Sequence, residues 1–304
     1  MLPGKDVCTV YHGTTLFNAK VIQRHGVWLN VQRKLTDFGR GFYVTVNSGQ
    51  AKRWACVKAM NPQIHPIMLE RLKITKDQYF NSPDTRTPAY LASELDLNGL
   101  RRLHGKIFPL PHEPQWKNFQ HSWQMFVQKC RSGETHHYDY VYGPIGKTHP
   151  TDPDQVLYSG AKEQLALNTE DAVACLSKFM VLTFTPGKRK TEKTIGRRWL
   201  EHTGNSTGFG KSEQQFWRAV HDQVMSVGKL TDKEANRMIS KSWVFTRFRE
   251  YRFMIRHEPA AYWAFAVLYH TGKLWLEDYE MYMMREDQII RGTRGQEHHH
   301  DHSH

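Results

Sequence analysis

Residues 37 to 45 read Asp37-Phe38-Gly39-Arg40-Gly41-Phe42-Tyr43-Val44-Thr45. A glycine on each side of Arg40 lets the backbone turn tightly, after which Phe42 and Val44 fall on one face of a strand and Tyr43 and Thr45 on the other. Tyr43 is therefore delivered to a defined face. Upstream, Tyr11-His12-Gly13-Thr14-Thr15 lies at a distance that suits two neighbouring strands of one small sheet. This pair of segments constrains the fold more than any other feature of the chain.

Further strand-like pieces occur at Cys8 to His12, Gly41 to Val46, Ile67 to Ile74, Tyr138 to Gly143 and Gln164 to Leu167. Helical periods run over Ser48 to Met60, Ser122 to Lys129 and Thr169 to Phe179. Short strands mixed with helices predict an α+β fold. Thr185-Pro186-Gly187-Lys188-Arg189-Lys190 combines a turn with a charge run and reads as a linker. It divides the chain into an α+β core over 1–186, a basic, mainly helical region over 187–296 and a His-rich tail over 297–304. In the helical region Ser212-x-x-Gln215 and Thr231-x-x-Glu234 are capping patterns. Phe216, Val220, Val224 and Val227 share one helical face. Over Trp243 to Arg256, Val244, Phe248, Tyr251 and Ile255 form one stripe, with Arg249, Arg252 and Arg256 on a neighbouring face. That face reads either as solvated arginines over a buried stripe or as a contact surface for RNA.

With 304 residues and 39% hydrophobic content, the chain can build a packed core. Its longest apolar run, around Ala260 to Tyr269, falls short of the roughly 20 residues a membrane span needs. The N-terminus lacks the basic-then-apolar build of a signal peptide. A soluble cytoplasmic protein without membrane partners is expected. Cys8, Cys56, Cys130 and Cys175 form no Cys-x-x-Cys pair, so neither a zinc site nor a disulfide scaffold is indicated. The formal net charge of +12 is uneven: residues 181–256 carry 16 Lys+Arg against 7 Asp+Glu, and residues 257–304 carry 4 against 8. Such a basic field concentrates polyanions such as nucleic acid and can equally serve solubility or docking to an acidic protein; nucleic acid is the favoured partner.

Over about residues 7 to 180 the chain resembles the ADP-ribosyltransferase-like superfamily, and most closely a poorly characterised bacterial family within it. The resemblance rests on five pieces in order: Tyr11-His12-Gly13-Thr14; Asp37 to Thr45 with the following Gln50-Ala51 and Trp54-Ala55; Trp123 to Val127; Tyr138 to Ile145; and Glu163-Gln164-Leu165-Ala166-Leu167 running on to Ala172. It implies a split β-sheet core and NAD as co-substrate. His12 is then expected to hydrogen-bond a ribose, the Gly13 backbone to pair with the nicotinamide amide, and Tyr43 to stack on the nicotinamide ring. Thr14 and Thr15 are expected to add hydrogen bonds near the nicotinamide, and Arg40, close to Tyr43 in sequence, to reach the pyrophosphate, since a guanidinium pairs well with two phosphate oxygens. His12 taken alone reads as a structural histidine; its place beside Gly13-Thr14 favours the binding role.

Transfer of ADP-ribose breaks the bond between nicotinamide and ribose through an oxocarbenium-like transition state, so the site must stabilise charge growing on the ribose. Superfamily members commonly place a glutamate at the start of a late strand for this task, and here Gln164 occupies the matching place. An amide oxygen can accept the hydrogen bond of the ribose 2′-hydroxyl but brings no negative charge. Glu163 stands next to it. Adjacent strand residues point to opposite faces, so only one of the two enters the pocket unless the strand is irregular there. His12, Tyr43 and Gln164 are the expected catalytic residues, with Gln164 preferred over Glu163. Asp139 is expected in a turn, outside the site.

The expected activity is mono-ADP-ribosylation of RNA, DNA or protein, nucleic acid being favoured. The resemblance implies a bacterial toxin of a toxin–antitoxin or phage-defence system, with an antitoxin protein as a further partner. NAD glycohydrolysis and a silent module binding NAD or a polyanion are the alternatives. Asp37-Phe38-Gly39 lacks the companions of a kinase magnesium motif. Gly204 to Ser212 misses the spacing of a phosphate loop. His298 to His304 reads as a polar tail, and no metal role is assigned.

Overall fold

The computed structural model describes residues 6–149, 152, 155–187, 210–269 and 278–285. The fold is α+β with a helical C-terminal region, and its strands form two sheets. In the first, β1 (Val7–Thr15) pairs with β3 (Pro88–Asp96), which pairs with β7 (Leu176–Thr183), all antiparallel. The second has the order β2 (Phe42–Val44), β6 (Val156–Leu167), β5 (Tyr140–Thr148) and β4 (Gly105–Ile107), with only the β4–β5 pair parallel.

The two sheets meet where Tyr11 and Thr45 exchange both backbone hydrogen bonds, at 2.7 and 3.0 Å. Helix α1 (Leu16–His25) starts at once after β1, with Thr15 Oγ1 accepting from Asn18 N. Helix α2 (Ser48–Met60) is capped by Asn47 and lies across β1. It packs there through Ala51 and Ala55, both fully buried. A β-carbon on Gly13 would sit 1.9 Å from the Ala51 carbonyl oxygen, so this crossing requires glycine at 13.

Two expected elements change identity. Ile67 to Ile74, read as a strand, lies mostly in helix α3 (Pro66–Leu72), where His65 caps and Pro66 takes the first turn, a position suited to proline. Thr169 to Phe179, read as one helix, gives only a short helix α7 (Glu170–Val173) before the chain enters β7. Between these lie α4 (Lys76–Asn81), α5 (Leu97–Arg101) and α6 (Trp116–Arg131).

Beyond the core, α8 (Lys211–Gly228), α9 (Asp232–Lys241), α10 (Trp243–Thr246), α11 (Phe248–His257) and α12 (Ala260–Tyr269) build a helical cluster. The cap at Thr231 and Glu234 forms as expected, whereas α8 begins at Gly210, whose N–H donates to Glu213, rather than at Ser212. Phe216, Val220 and Val224 are buried, and Val227 packs at the edge of the same cluster. Leu35 and Val57 from the α+β core belong to that cluster too, so the helical region shares packing with the core. The expected single helix over Trp243 to Arg256 is two, and α11 is itself kinked at Tyr251. Among the described residues no helix is long and apolar enough to cross a membrane. The near-phosphate-loop and the His-rich tail fall mainly or wholly outside the described residues.

Candidate functional site

Continuing the Tyr11–Thr45 ladder by two residues would pair Gly13 with Tyr43, but the ladder stops. The Tyr43 carbonyl instead accepts from His12 Nδ1 at 2.7 Å. Backbone groups alternate edges along a strand, so the peptide groups of Gly13 point into the opening as those of Tyr11 point at Thr45. Lys58 Nζ, from α2, donates to the Gly13 carbonyl at 2.8 Å. A split between the sheets thus begins at the first position where a ligand can replace a strand neighbour.

A carbonyl only accepts, so the His12 proton sits on Nδ1 and Nε2 is left as an acceptor. Burial and the nearby Lys58 charge outweigh the carbonyl bond and lower the His12 pKa to about 3. The ring is neutral, and it stacks on Phe42 with centroids 4.2 Å apart.

Tyr43 and Gln164 reach the opening together because of register. Tyr43 lies opposite Ala166, two residues from Gln164, and cross-strand partners and i±2 neighbours share a face. The Tyr43 hydroxyl accepts from Phe38 N at 2.9 Å and has its proton acceptors in Gly39 O, at 2.8 Å, and Thr36 Oγ1, at 3.0 Å. Burial pushes its pKa far up, so it is a neutral phenol pinned to the 36–39 turn. Glu163 takes the other face, where its carboxylate accepts from Thr45 Oγ1 at 2.5 Å and Val46 N at 2.9 Å. Burial raises its pKa despite those bonds.

His12, Gly13, Tyr43 and Gln164 all line one cavity of about 160 Å³. A second cavity of about 220 Å³ adjoins it, sharing His12, Arg33, Trp54, Lys58 and Glu258 among its walls. Its lining holds an unusual set of buried, unpartnered polar atoms: Asn18 Oδ1, Asn61 Oδ1, both amide atoms of Gln63, and Arg33 Nε. Buried polar atoms are normally satisfied, so a cavity walled by several unsatisfied ones is suited to a polar ligand. Lys58 titrates low, at about 8, through burial and the proximity of Arg33.

Several wall residues were not singled out as site residues from the sequence. Asp37, 1% exposed, binds Arg131 through Oδ1 and accepts from Gly146 N and Gln164 Nε2 through Oδ2, both at 2.7 Å. Burial would raise its pKa, but Arg131, His257 and the Gly146 N–H together hold it below the ordinary carboxylate value. His257 and Glu258 arrive from the end of α11: His257 Nδ1 donates to Gly146 O at 2.7 Å, and Glu258 pairs with Arg33. Nothing in local sequence pattern marks His257 and Glu258. Asp37 was visible as a motif residue and Trp54 as part of a Trp-Ala pair, without a role for either.

Other expected site residues are placed differently. Thr14 is buried and lines the second cavity. Arg40 is exposed and lines neither cavity, and its carbonyl accepts from Asn168 Nδ2 at 2.9 Å. Arg249 and Arg252 are exposed, and Arg252 pairs with Glu213 at 2.7 Å. Arg256 corrects the expected arginine face: it is 3% exposed, turned inward after the kink at Tyr251, with Nη1 donating to Ser212 Oγ. Asp139 binds His104 N and Thr169 Oγ1 in a turn, as expected. Among the described residues no group of three or more His, Cys, Asp or Glu is placed to hold a metal ion.

A family described as a protein of unknown function (DUF3990) matches residues 8–84. That stretch holds β1, α1, β2, α2 and the cavity residues from Tyr11 to Lys58, and it ends before the strand that carries Gln164. No curated protein and no solved structure matches the chain.

Proposed function

We propose that the protein is an NAD-dependent mono-ADP-ribosyltransferase whose site is the opening between β1 and β2. The observation that carries this reading is the convergence of His12, Gly13, Tyr43 and Gln164, from three segments far apart in sequence, on the wall of one cavity. In this reading the Gly13 peptide engages the nicotinamide carboxamide, exchanging its Lys58 contact for the ligand, while the Tyr43 ring forms the facing wall. His12 Nε2 and Gln164 Oε1 accept from ribose hydroxyls, and Lys58 and Arg33 bring positive charge to the diphosphate. The unpartnered amide oxygens of Asn18 and Asn61 and the unpartnered amide of Gln63 suit the adenine end. The bond from ribose C1′ to the nicotinamide nitrogen breaks with its electron pair leaving on nicotinamide, and an acceptor atom bonds to C1′ and releases its proton.

Exposed Arg249 and Arg252, with the basic excess before residue 257, support a polyanionic acceptor and favour RNA. A role as the toxin of a toxin–antitoxin or phage-defence system, acting in the cytoplasm and restrained by an antitoxin protein, is the setting that goes with this activity.

The test incubates purified protein with labelled NAD and separate pools of cellular RNA, DNA and protein. Label fixed to one pool, and lost with Gln164→Ala, supports the transferase and names its acceptor. Free ADP-ribose without macromolecular label makes the protein a glycohydrolase, and intact NAD leaves only a binding module.

A further inference from the structure

We infer that Asp37 is the positioning residue of Gln164, and that the site works as an Asp37–Gln164 pair in which a buried carboxylate orders the amide so that its oxygen faces the ribose. This rests on the proposed reaction for its function, though not for its geometry.

A glutamine amide has two orientations of nearly equal shape and opposite hydrogen-bonding sense. Beside an ionised carboxylate only one is acceptable. Gln164 Nε2 lies 2.7 Å from Asp37 Oδ2, and the flipped amide would set two acceptors at that distance. The nitrogen also lies 3.4 Å from Pro144 O, a second acceptor that disfavours the flip. Oε1 is therefore left for the cavity. Asp37 is itself held: Arg131 Nε and Nη2 reach Oδ1 at 2.8 and 2.6 Å, and Arg131 also donates to Thr148 Oγ1 and His257 O. A further constraint is the Gly146 N–H, brought close by a register shift in β5; a β-carbon there would lie 3.0 Å from both Asp37 and Arg131.

The arrangement gives a physical reason for glutamine at position 164. A glutamate there would place a second carboxylate against Asp37, and two carboxylates at such a distance repel, so that the second ionises only at raised pH and at a cost. The pair instead keeps the charge one step behind the acceptor, where it polarises the amide toward a more electron-rich oxygen. Arg131 balances that charge, so Asp37 acts by orientation and polarisation, not by a free negative field. The charged and titratable groups around Asp37 are Arg131 and Cys130 from α6, His257 from α11 and Tyr43 from β2.

The experiment compares wild type, Asp37→Asn, Gln164→Glu and the double variant, reading kcat and KM for NAD and thermal unfolding, each between pH 5 and 8.5. Asp37→Asn is expected to lower kcat about tenfold with KM changed less than about threefold, since an unordered amide chiefly costs transition-state stabilisation. Gln164→Glu is expected to be impaired at pH 8 and to recover toward pH 5, where one carboxyl of the pair is protonated. The double variant holds no carboxylate pair, so its unfolding midpoint should lose the pH dependence that Gln164→Glu adds. Its kcat is not expected to recover, because an amide at position 37 sets its NH2 against the Gly146 N–H or Arg131. Gln164→Glu with wild-type activity and stability across this range, Asp37→Asn with wild-type kcat, or a double variant that keeps the pH dependence added by Gln164→Glu, would overturn the inference. If wild type leaves NAD intact, the proposed reaction fails, and the unfolding series alone then decides whether Asp37 orders position 164.

Discussion

Arg33 and Glu258, 225 residues apart in the chain, meet in a two-pronged ion pair, Nη1 to Oε1 at 2.7 Å and Nη2 to Oε2 at 3.0 Å. The guanidinium lies 4.5 Å above the Tyr262 ring, and both charges border the two cavities. The helical region therefore forms part of the wall of the cleft.

Removing one partner of a buried pair strands the other charge, a loss of about 3–5 kcal/mol. Glu258→Ala should destabilise by that order in denaturant titrations, and Arg33→Met combined with Glu258→Ala should recover part of it. A double variant that loses as much as Glu258→Ala and Arg33→Met added together would mean that the pair contributes little.

Gly13→Ala tests the crossing of α2 over β1. The added methyl meets backbone, not a flexible side chain, so α2 must shift. Overpacking of this kind costs about 1–3 kcal/mol. Chemical denaturation should report a loss of that size, together with loss of NAD binding in calorimetry; a variant binding NAD normally would remove Gly13 from the site.

Lys58 is cationic below about pH 8 and neutral above. Because burial and Arg33 lower its pKa, its attraction for a diphosphate fades as pH rises through that value. NAD affinity should therefore weaken between pH 7 and 9, and Lys58→Met should bind more weakly at pH 7 with a flatter profile. A wild-type affinity independent of pH would count against a phosphate role for Lys58.

His12 is held neutral in the fold but protonates near 6.5 when unfolded. The unfolded chain thus binds more protons below pH 6.5, and stability falls with pH from there toward about 3. Its ring is only partly shielded from water, so the contribution at pH 4.5 is discounted to about 1–2 kcal/mol. His12→Gln should flatten the stability curve between about pH 6.5 and 4.5, and unchanged curvature would contradict a neutral, partly shielded imidazole.

The strands that carry the site were legible because their signals are local. Alternation through Phe42 to Val44 and the parity of Glu163 and Gln164 follow from two-residue periodicity, and the chain obeys them. What escaped depends on contacts between distant segments. Ile67 to Ile74 is apolar enough for a strand, yet His65 and Pro66 start a helix there. The kink at Tyr251 breaks the helical phase that placed Arg256 with Arg249 and Arg252. His257 and Glu258 enter the cleft only because α11 ends against β5 and Arg33, a relation no local pattern encodes.

The most direct measurement of the central claim is free nicotinamide released per NAD consumed by purified protein, with His12→Ala and Gln164→Ala beside it and folding checked by circular dichroism. The account predicts one nicotinamide per NAD lost and a drop of about a hundredfold or more in each variant, the scale of removing a transition-state hydrogen-bonding group. No nicotinamide from wild type, or equal release from folded variants, would contradict it.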